Sequence, residues 1–302
     1  MVQIKTAFTN GVKRLGQADI PEPEIEVSLL LSHALKMGRT KVLLSGHRVL
    51  NAAELEIFEE KISRRQAREP LAYITGEKEF WSLDFKVSKD VLIPRPETEF
   101  LLEKTLGAIK TPAGKSGKRV NILDLGTGSG VIAIILALEL AAAEVTAIDC
   151  SYKALKVARH NAEKHMVNDK INFINSDWFD GIVEQAEFDV VVSNPPYIAK
   201  DILAKPFGKT QDSLEPEVGC FEPLLALDGG DRGIREIDTI VAGLGKVLKP
   251  GGWFFLEIGA DQKKEVFDIV KRTGIFDSIA IYNDYAGLPR VFQARKSSGW
   301  KS

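Results

Sequence analysis

The sequence predicts an α/β protein: a mostly parallel β-sheet covered by helices on both faces, preceded by a small helical region. Two observations predict this. From residue 120 onward, short apolar and β-branched runs alternate with longer segments of helical period, the signature of strands joined by crossover helices. The first stretch, up to about residue 70, carries helical spacing only.

In the N-terminal part, Val27, Leu30, Leu31, Ala34 and Leu35 recur at helical spacing, which core packing explains. Asn51 and Glu54 form a capping-box pair ahead of a stripe of Leu55, Phe58 and Ile62, and Pro70 is expected to close that helix. Arg64, Arg65 and Arg68 are expected on a solvated face. Over residues 73–93 the pattern changes to short aromatic and β-branched runs around Gly76, and residues 79–87 read as a hairpin linking two domains. Pro94-Arg95-Pro96-Glu97-Thr98-Glu99 reads as a rigid turn into a helix, with Pro96 in the first turn. Residues 111–118, rich in Gly, Lys and Ser, read as a surface loop.

Strands are then expected at 120–125, 145–149, 171–174, 188–193, 253–258, 279–282 and 291–294. Helices are expected at 129–142, 152–165, 234–248 and 262–272, with Lys249-Pro250-Gly251-Gly252 as a turn. The last two strands have no long helix between them, which implies one antiparallel strand. Residues 296–302 read as a frayed end. The expected division is a helical domain over 1–75, a hairpin linker over 76–95 and an α/β domain over 96–302.

The bulk composition bounds the partners. The chain has 302 residues, 44% hydrophobic and 27% charged, with a formal net charge of -2, which argues against a general nucleic-acid binder. Cys150 and Cys220 are too few for a disulfide scaffold or a cysteine-based zinc site, and the four histidines show no ligand spacing, so no metal is expected. No signal peptide is read at the start, and the apolar run 131–140 is too short to span a membrane. A reduced, cytoplasmic monomer is the expectation.

Asp124-Leu125-Gly126-Thr127-Gly128-Ser129-Gly130 falls between an expected strand and helix. Glycines there let the backbone turn sharply and approach a ligand closely; the bland reading is an ordinary tight turn. Asp149 ends the next strand, where an acid can accept hydrogen bonds from both ribose hydroxyls of a nucleoside. A dinucleotide and S-adenosylmethionine both fit. The Gly-x-Gly-x-Gly spacing departs from the dinucleotide pattern, and a carboxylate at Asp124 would repel a pyrophosphate but attract a sulfonium or amino group, so the methyl donor is favoured. Asp177-Trp178 follows the third strand; an acid or ring there binds adenine, or Trp178 is core packing, and both readings stay open.

Asn194-Pro195-Pro196-Tyr197 follows the strand at 188–193, at its C-terminal end beside the expected cofactor crevice. In isolation it could be a turn that merely ends a strand. After a methyl-donor motif it reads as an acceptor site. The Asn194 side-chain oxygen and the Pro195 carbonyl can both face one planar amino group, and Tyr197 can pack on its flat face. An amide nitrogen is a poor nucleophile, and two acceptors on its hydrogens would orient it for in-line attack on a methyl group.

These motifs resemble the release-factor glutamine N5-methyltransferases. The resemblance runs through Pro70-Leu71-Ala72-Tyr73-Ile74-Thr75-Gly76, Phe80-Trp81, Leu92 to Glu99, the glycine loop, Val192 to Ile198, Pro250-Gly251-Gly252-Trp253 and Glu257-Ile258-Gly259. It implies a Rossmann-like, seven-stranded class I methyltransferase domain, with a helical N-terminal domain that docks a peptide-chain release factor. It implies that Gly126, Thr127, Gly128, Ser129, Gly130, Asp149, Trp178 and Asn194 bind S-adenosylmethionine, leaving S-adenosylhomocysteine. It further implies that Asn194, Pro195, Pro196 and Tyr197 hold the glutamine of a Gly-Gly-Gln motif, and that the turn 95–98 lies near the active site. Glu222-Pro223-Leu224-Leu225 departs from the pattern, which leads one to expect an arginine after the proline.

Three competitors are weighed. An adenine-N6 DNA methyltransferase would share the acceptor tetrapeptide but must flip a base and grip phosphates, which the slightly acidic total disfavours. A glutamine methyltransferase acting on a ribosomal protein differs through its N-terminal domain. A non-catalytic release-factor-binding module is disfavoured by the intact tetrapeptide.

Overall fold

A computed structural model of the chain describes residues 1–110, 119–182, 188–207 and 213–299. The loop expected over 111–118 lies outside the described residues. The first elements are α1 (Ile4–Gln17), α2 (Pro23–Leu35), α3 (Arg39–Leu44), α4 (Ala52–Gln66), α5 (Leu71–Thr75), β1 (Glu77–Phe80) and β2 (Leu83–Lys86). Then come α6 (Pro96–Ile109), β3 (Val120–Leu125), α7 (Val131–Glu139), β4 (Ala143–Asp149), α8 (Tyr152–Lys164), β5 (Ile171–Asn175) and β6 (Phe188–Ser193). The last are α9 (Lys200–Leu203), α10 (Pro216–Phe221), α11 (Arg235–Val247), β7 (Leu248–Glu257), α12 (Lys263–Arg272), β8 (Phe276–Asn283) and β9 (Pro289–Lys296).

Two compact units result: Met1–Glu77 with Glu215–Phe221, and Lys78–Leu214 with Glu222–Ser302. In the first, the stripe Val27, Leu30, Leu31, Ala34 and Leu35 is buried, together with Phe58 and Ile62. The capping box of α4 is formed on both sides, Glu54 N–H to Asn51 at 2.8 Å and Asn51 N–H to Glu54 at 3.0 Å. Helix α4 ends at Gln66, ahead of Pro70, because Arg68 adopts φ +69°; Pro70 instead starts the short helix α5, which replaces the strand-like pattern expected from Tyr73. The arginine cluster is not a solvated face. Arg65 is only 4% exposed, its guanidinium held by Glu26 at 3.1 Å and by Glu217 of α10 at 2.9 Å. Arg68 also bonds Glu217, at 2.8 Å. A buried guanidinium needs such partners, since an unpaired one would be costly.

In the second unit a seven-stranded sheet has the order β5-β4-β3-β6-β7-β9-β8. Strand β9 runs antiparallel to β7 and β8, and the remaining neighbours are parallel. Alternation along β3 and β6 serves both faces. Ile122, Val190 and Val192 join the core under α6, α7 and α8. Leu123, Leu125 and Val191 join the core under α11 and α12. Each fully buried side chain of this kind contributes roughly 1.5–3 kcal/mol.

Several element boundaries differ from expectation, and three of the differences have a local cause or consequence. Helix α7 spans Val131–Glu139, with Ser129 left in the loop before it. The residues read as a turn at 249–252 lie within β7, as an irregularity between the pairs Phe188↔Leu248 and Val190↔Trp253; Gly251 at φ +78° lets the backbone bulge without ending the strand. Lys296 belongs to β9 and is buried, its ammonium donating to the carbonyls of Gly245 and Leu248 at 2.8 and 2.7 Å; residues 300–302 lie outside the described residues.

The hairpin β1–β2 turns through Trp81 and Ser82, both at positive φ, and packs Phe80 and Phe85 into the core under α6 to α8. Asn161 of α8, fully buried, ties β2 to the glycine loop. Its amide exchanges bonds with the Lys86 backbone at 2.8 and 3.0 Å and donates to the Ser129 carbonyl at 2.8 Å. Among the described residues no helix is long and apolar enough to cross a membrane.

Candidate active site

Strands β3 and β6 are neighbours whose chains continue toward opposite edges of the sheet, β3 toward β4 and β6 toward β7. A crevice opens beyond the carboxyl ends of strands at such a switch point. Here it is a cavity of about 630 Å³ in the second unit, lined by the glycine loop, Asp149, Trp178, Thr98, Asn194 and Pro196 among others. That volume suits a nucleoside-sized ligand.

The loop after β3 turns through Gly126, Gly128 and Gly130, all at positive φ. The Ile148 carbonyl accepts both the Gly126 and Thr127 N–H groups at 2.9 Å, which seats the loop over β4. Gly126, Thr127, Gly128 and Ser129 line the cavity. Gly130 does not. It caps α7, and a Cβ there would stand 3.0 Å from Ala158, so its glycine serves the approach of α7 to α8.

Asp149 lines the cavity with both oxygens engaged, one by the Gly128 N–H and the other by the Ser151 N–H, each at 2.8 Å. A carboxylate accepts about four hydrogen bonds, so roughly two remain for a ligand. Burial pushes its pKa up, against the pull of those two N–H groups. Trp178 packs on the core under α11 and α12, one of the two readings the sequence left open, and it also lines the cavity, its ring covering Gly126. Its indole N–H donates to Glu236 at 2.8 Å.

Asp124 is placed differently from expectation. It is fully buried beneath the loop and absent from the cavity wall; one oxygen accepts the Thr127 hydroxyl at 2.6 Å. It shapes the loop from below. Burial raises its pKa from 3.8 to about 7. Between those values the unfolded chain has released a proton that the folded chain keeps, so this group's contribution to stability falls as pH rises from about 4 to about 7, then levels off. The stability of Asp124→Asn relative to wild type is therefore expected to rise as pH goes from about 4 to about 7, then to level off. Urea unfolding of both proteins across that range checks it; a difference independent of pH would contradict the assignment.

The tetrapeptide after β6 is held at both ends by one buried acid. Asn194 Nδ2 donates to Thr98 Oγ1 at 3.1 Å, and Thr98 Oγ1 donates to Glu257 Oε2 at 2.8 Å. The Tyr197 hydroxyl donates to Glu257 Oε1 at 3.3 Å. Glu257, at the end of β7, is fully buried, and burial lifts its carboxyl to about 7. Burial also pushes the Tyr197 phenol up. The Tyr197 carbonyl accepts from Gln262 Nε2 at 2.9 Å. Among the described residues no hydrogen bond reaches Asn194 Oδ1 or the Pro195 carbonyl. Asn194 and Pro196 line the cavity; Pro195 and Tyr197 are not among its lining residues, and the Tyr197 hydroxyl is committed to Glu257.

Several of these groups escaped the sequence reading. Glu257 entered only within the run Glu257-Ile258-Gly259, without a role; its one physical signal was a charge closing the apolar run Trp253-Phe254-Phe255-Leu256. Gln262 carried none. Glu222 was noted only as part of a departing stretch. It is buried, pairs with Arg95 and accepts the Ile93 N–H at 3.1 Å, so it holds the turn before α6, and Arg95 lines the cavity.

Residues 6–76 match the family described as PrmC N-terminal domain, and residues 98–209 match that described as Methyltransferase small domain. A release factor glutamine methyltransferase of Koribacter versatilis is 38% identical over 293 residues, covering 97% of this chain and 98% of that protein. One of Caulobacter vibrioides is 38% identical over 268 residues, covering 89% and 88%. Among solved structures the hMettl16 catalytic domain superposes with a TM-score of 0.54 at 15% identity, covering 80% of this chain and 83% of that one. At that identity the likeness speaks for the fold alone.

Proposed function

We propose that this chain, which belongs to the release factor glutamine methyltransferase family, transfers a methyl group from S-adenosylmethionine to the side-chain amide nitrogen of the glutamine in the Gly-Gly-Gln motif of a peptide-chain release factor. The chain is a methyltransferase of α/β architecture; the donor, the atom and the motif are our reading. One observation carries it. Beside the glycine loop stands an asparagine whose amide nitrogen is already bonded and whose oxygen, among the described residues, is not.

The wall of the cavity fits the donor. Asp149 keeps about two acceptor positions for the ribose hydroxyls. Gly126 to Ser129 present backbone without bulky side chains, and Trp178 offers a ring for the adenine. S-adenosylmethionine supplies an electrophilic methyl group carried on a sulfonium. Asp149→Ala should weaken donor binding roughly tenfold to a hundredfold, because two N–H groups lose their acceptor along with the ribose. Unchanged affinity by calorimetry would count against the ribose contact.

At the acceptor end, Asn194 Oδ1 and the Pro195 carbonyl each accept one hydrogen of the substrate carboxamide. Holding both hydrogens keeps the amide plane fixed and favours positive charge building on nitrogen as the new N–C bond forms. The methyl–sulfur bond breaks as the N–C bond forms, and the nitrogen's extra proton passes to solvent as the amide is restored. Positioning of this kind supplies on the order of 7–11 kcal/mol of the barrier. Pro196 lines the cavity beside Asn194, and Tyr197, its hydroxyl tied to Glu257, anchors the turn and packs its ring on the flat face of the amide.

Mass spectrometry of a release factor incubated with the protein and the donor tests the reading. One added methyl on the Gly-Gly-Gln glutamine is expected. Methylation of a ribosomal protein or of DNA adenine in its place would overturn it.

A further inference from the structure

Thr98 and Glu257 lie one step behind Asn194, and their chemistry has a direction. An ionised carboxylate only accepts hydrogen bonds. Thr98 owns a single hydroxyl proton, and with Glu257 Oε2 at 2.8 Å that proton is spent on the acid. The Thr98 oxygen, 3.1 Å from Asn194, is then left as an acceptor. Only the NH2 end of a carboxamide can meet an acceptor, so the oxygen of Asn194 is turned the other way.

We infer that Thr98 and Glu257 are positioning residues that set which end of the Asn194 carboxamide faces the methyl acceptor. The inference rests on the proposed role of Asn194 as an acceptor of the substrate N–H. Turned over, Asn194 would present its own NH2 to the substrate NH2, and two donors repel. The polarity of the relay therefore decides whether the site can hold an amide.

The same acid also anchors Tyr197 through its second oxygen, so both ends of the tetrapeptide depend on one fully buried group. Among the described residues, the charged and titratable groups facing Glu257 are Arg290 from β9, Glu97 from α6 and Tyr197. When Glu257 takes a proton it can donate to Thr98. The Thr98 proton is then released to Asn194, and the carboxamide is free to turn over. Turnover should accordingly rise with pH through the ionisation of Glu257, near 7.

The test is a set of variants assayed on a release factor. Thr98→Val, nearly isosteric but without the hydroxyl, should lose roughly tenfold to a hundredfold in kcat with KM and donor affinity little changed. Thr98→Ser should restore most of it. In an Asn194→Ala background, Thr98→Val should cost nothing more, since the relay acts only through that asparagine. Glu257→Gln offers Thr98 either an oxygen or an N–H; it should lower kcat and remove the acid limb of the pH profile, and it carries the test if Thr98→Val fails to fold. Wild-type kcat in folded Thr98→Val, or an unaltered acid limb and kcat in Glu257→Gln, overturns the relay. Wild-type kcat in Asn194→Ala instead overturns the acceptor reading beneath it.

Discussion

Asn194→Ala is expected to lower kcat by roughly tenfold to more than a hundredfold while donor binding persists. The truncation removes the acceptor for one hydrogen of the substrate amide. It also leaves the Thr98 oxygen without its donor, in a residue only 3% exposed. Each buried hydrogen bond lost this way costs roughly 1–3 kcal/mol, and a substrate amide held by one hydrogen can swing out of line with the methyl group. Donor affinity should change little, because the glycine loop, Asp149 and Trp178 remain in place. Single-turnover assays on a release factor, with donor binding followed separately by calorimetry, divide the two effects. Normal turnover would remove Asn194 from the chemistry.

Gly233→Ala is expected to destabilise the protein by roughly 2–5 kcal/mol and to disturb the tetrapeptide as well. Gly233 sits at φ +69°, a conformation costing a residue with a Cβ roughly 1–2 kcal/mol. A Cβ there would lie 2.1 Å from the Tyr197 carbonyl oxygen and 2.6 Å from Gln262 Nε2. Neither gives way cheaply. The carbonyl is backbone, and the Gln262 amide donates to it at 2.9 Å and to the Gly233 carbonyl at 3.0 Å. Overpacking of this kind adds roughly 1–3 kcal/mol. Gly76→Ala is the control: φ is +79° but nothing lies within 4 Å, so only the conformational cost of roughly 1–2 kcal/mol should appear. Urea unfolding of the two variants separates strain from collision. Equal losses would show that the contact with Tyr197 contributes nothing.

The local parts of this protein were legible from its residues. Alternation between strand and helix periods is a property of neighbours in sequence, so the sheet, the cover on both faces and the antiparallel β9 followed from patterning. The capping box of α4 and the glycine loop after β3 are equally local, set by side chains and backbone a few residues apart. The acceptor motif stood out because two prolines beside an asparagine restrict the chain whatever surrounds it.

Burial and long-range pairing were decided only by the tertiary structure. Asp124 reads as a ligand contact until β3 is seen to bury it. Arg65 reads as solvated until Glu217, 152 residues away, closes on it. The orientation of Asn194 is the sharpest case, since it depends on Thr98, 96 residues earlier, and Thr98 in turn on Glu257, 159 residues further along. A hydrogen bond takes its direction from whichever donors and acceptors folding brings within about 3 Å, and spacing along the chain carries no record of that encounter.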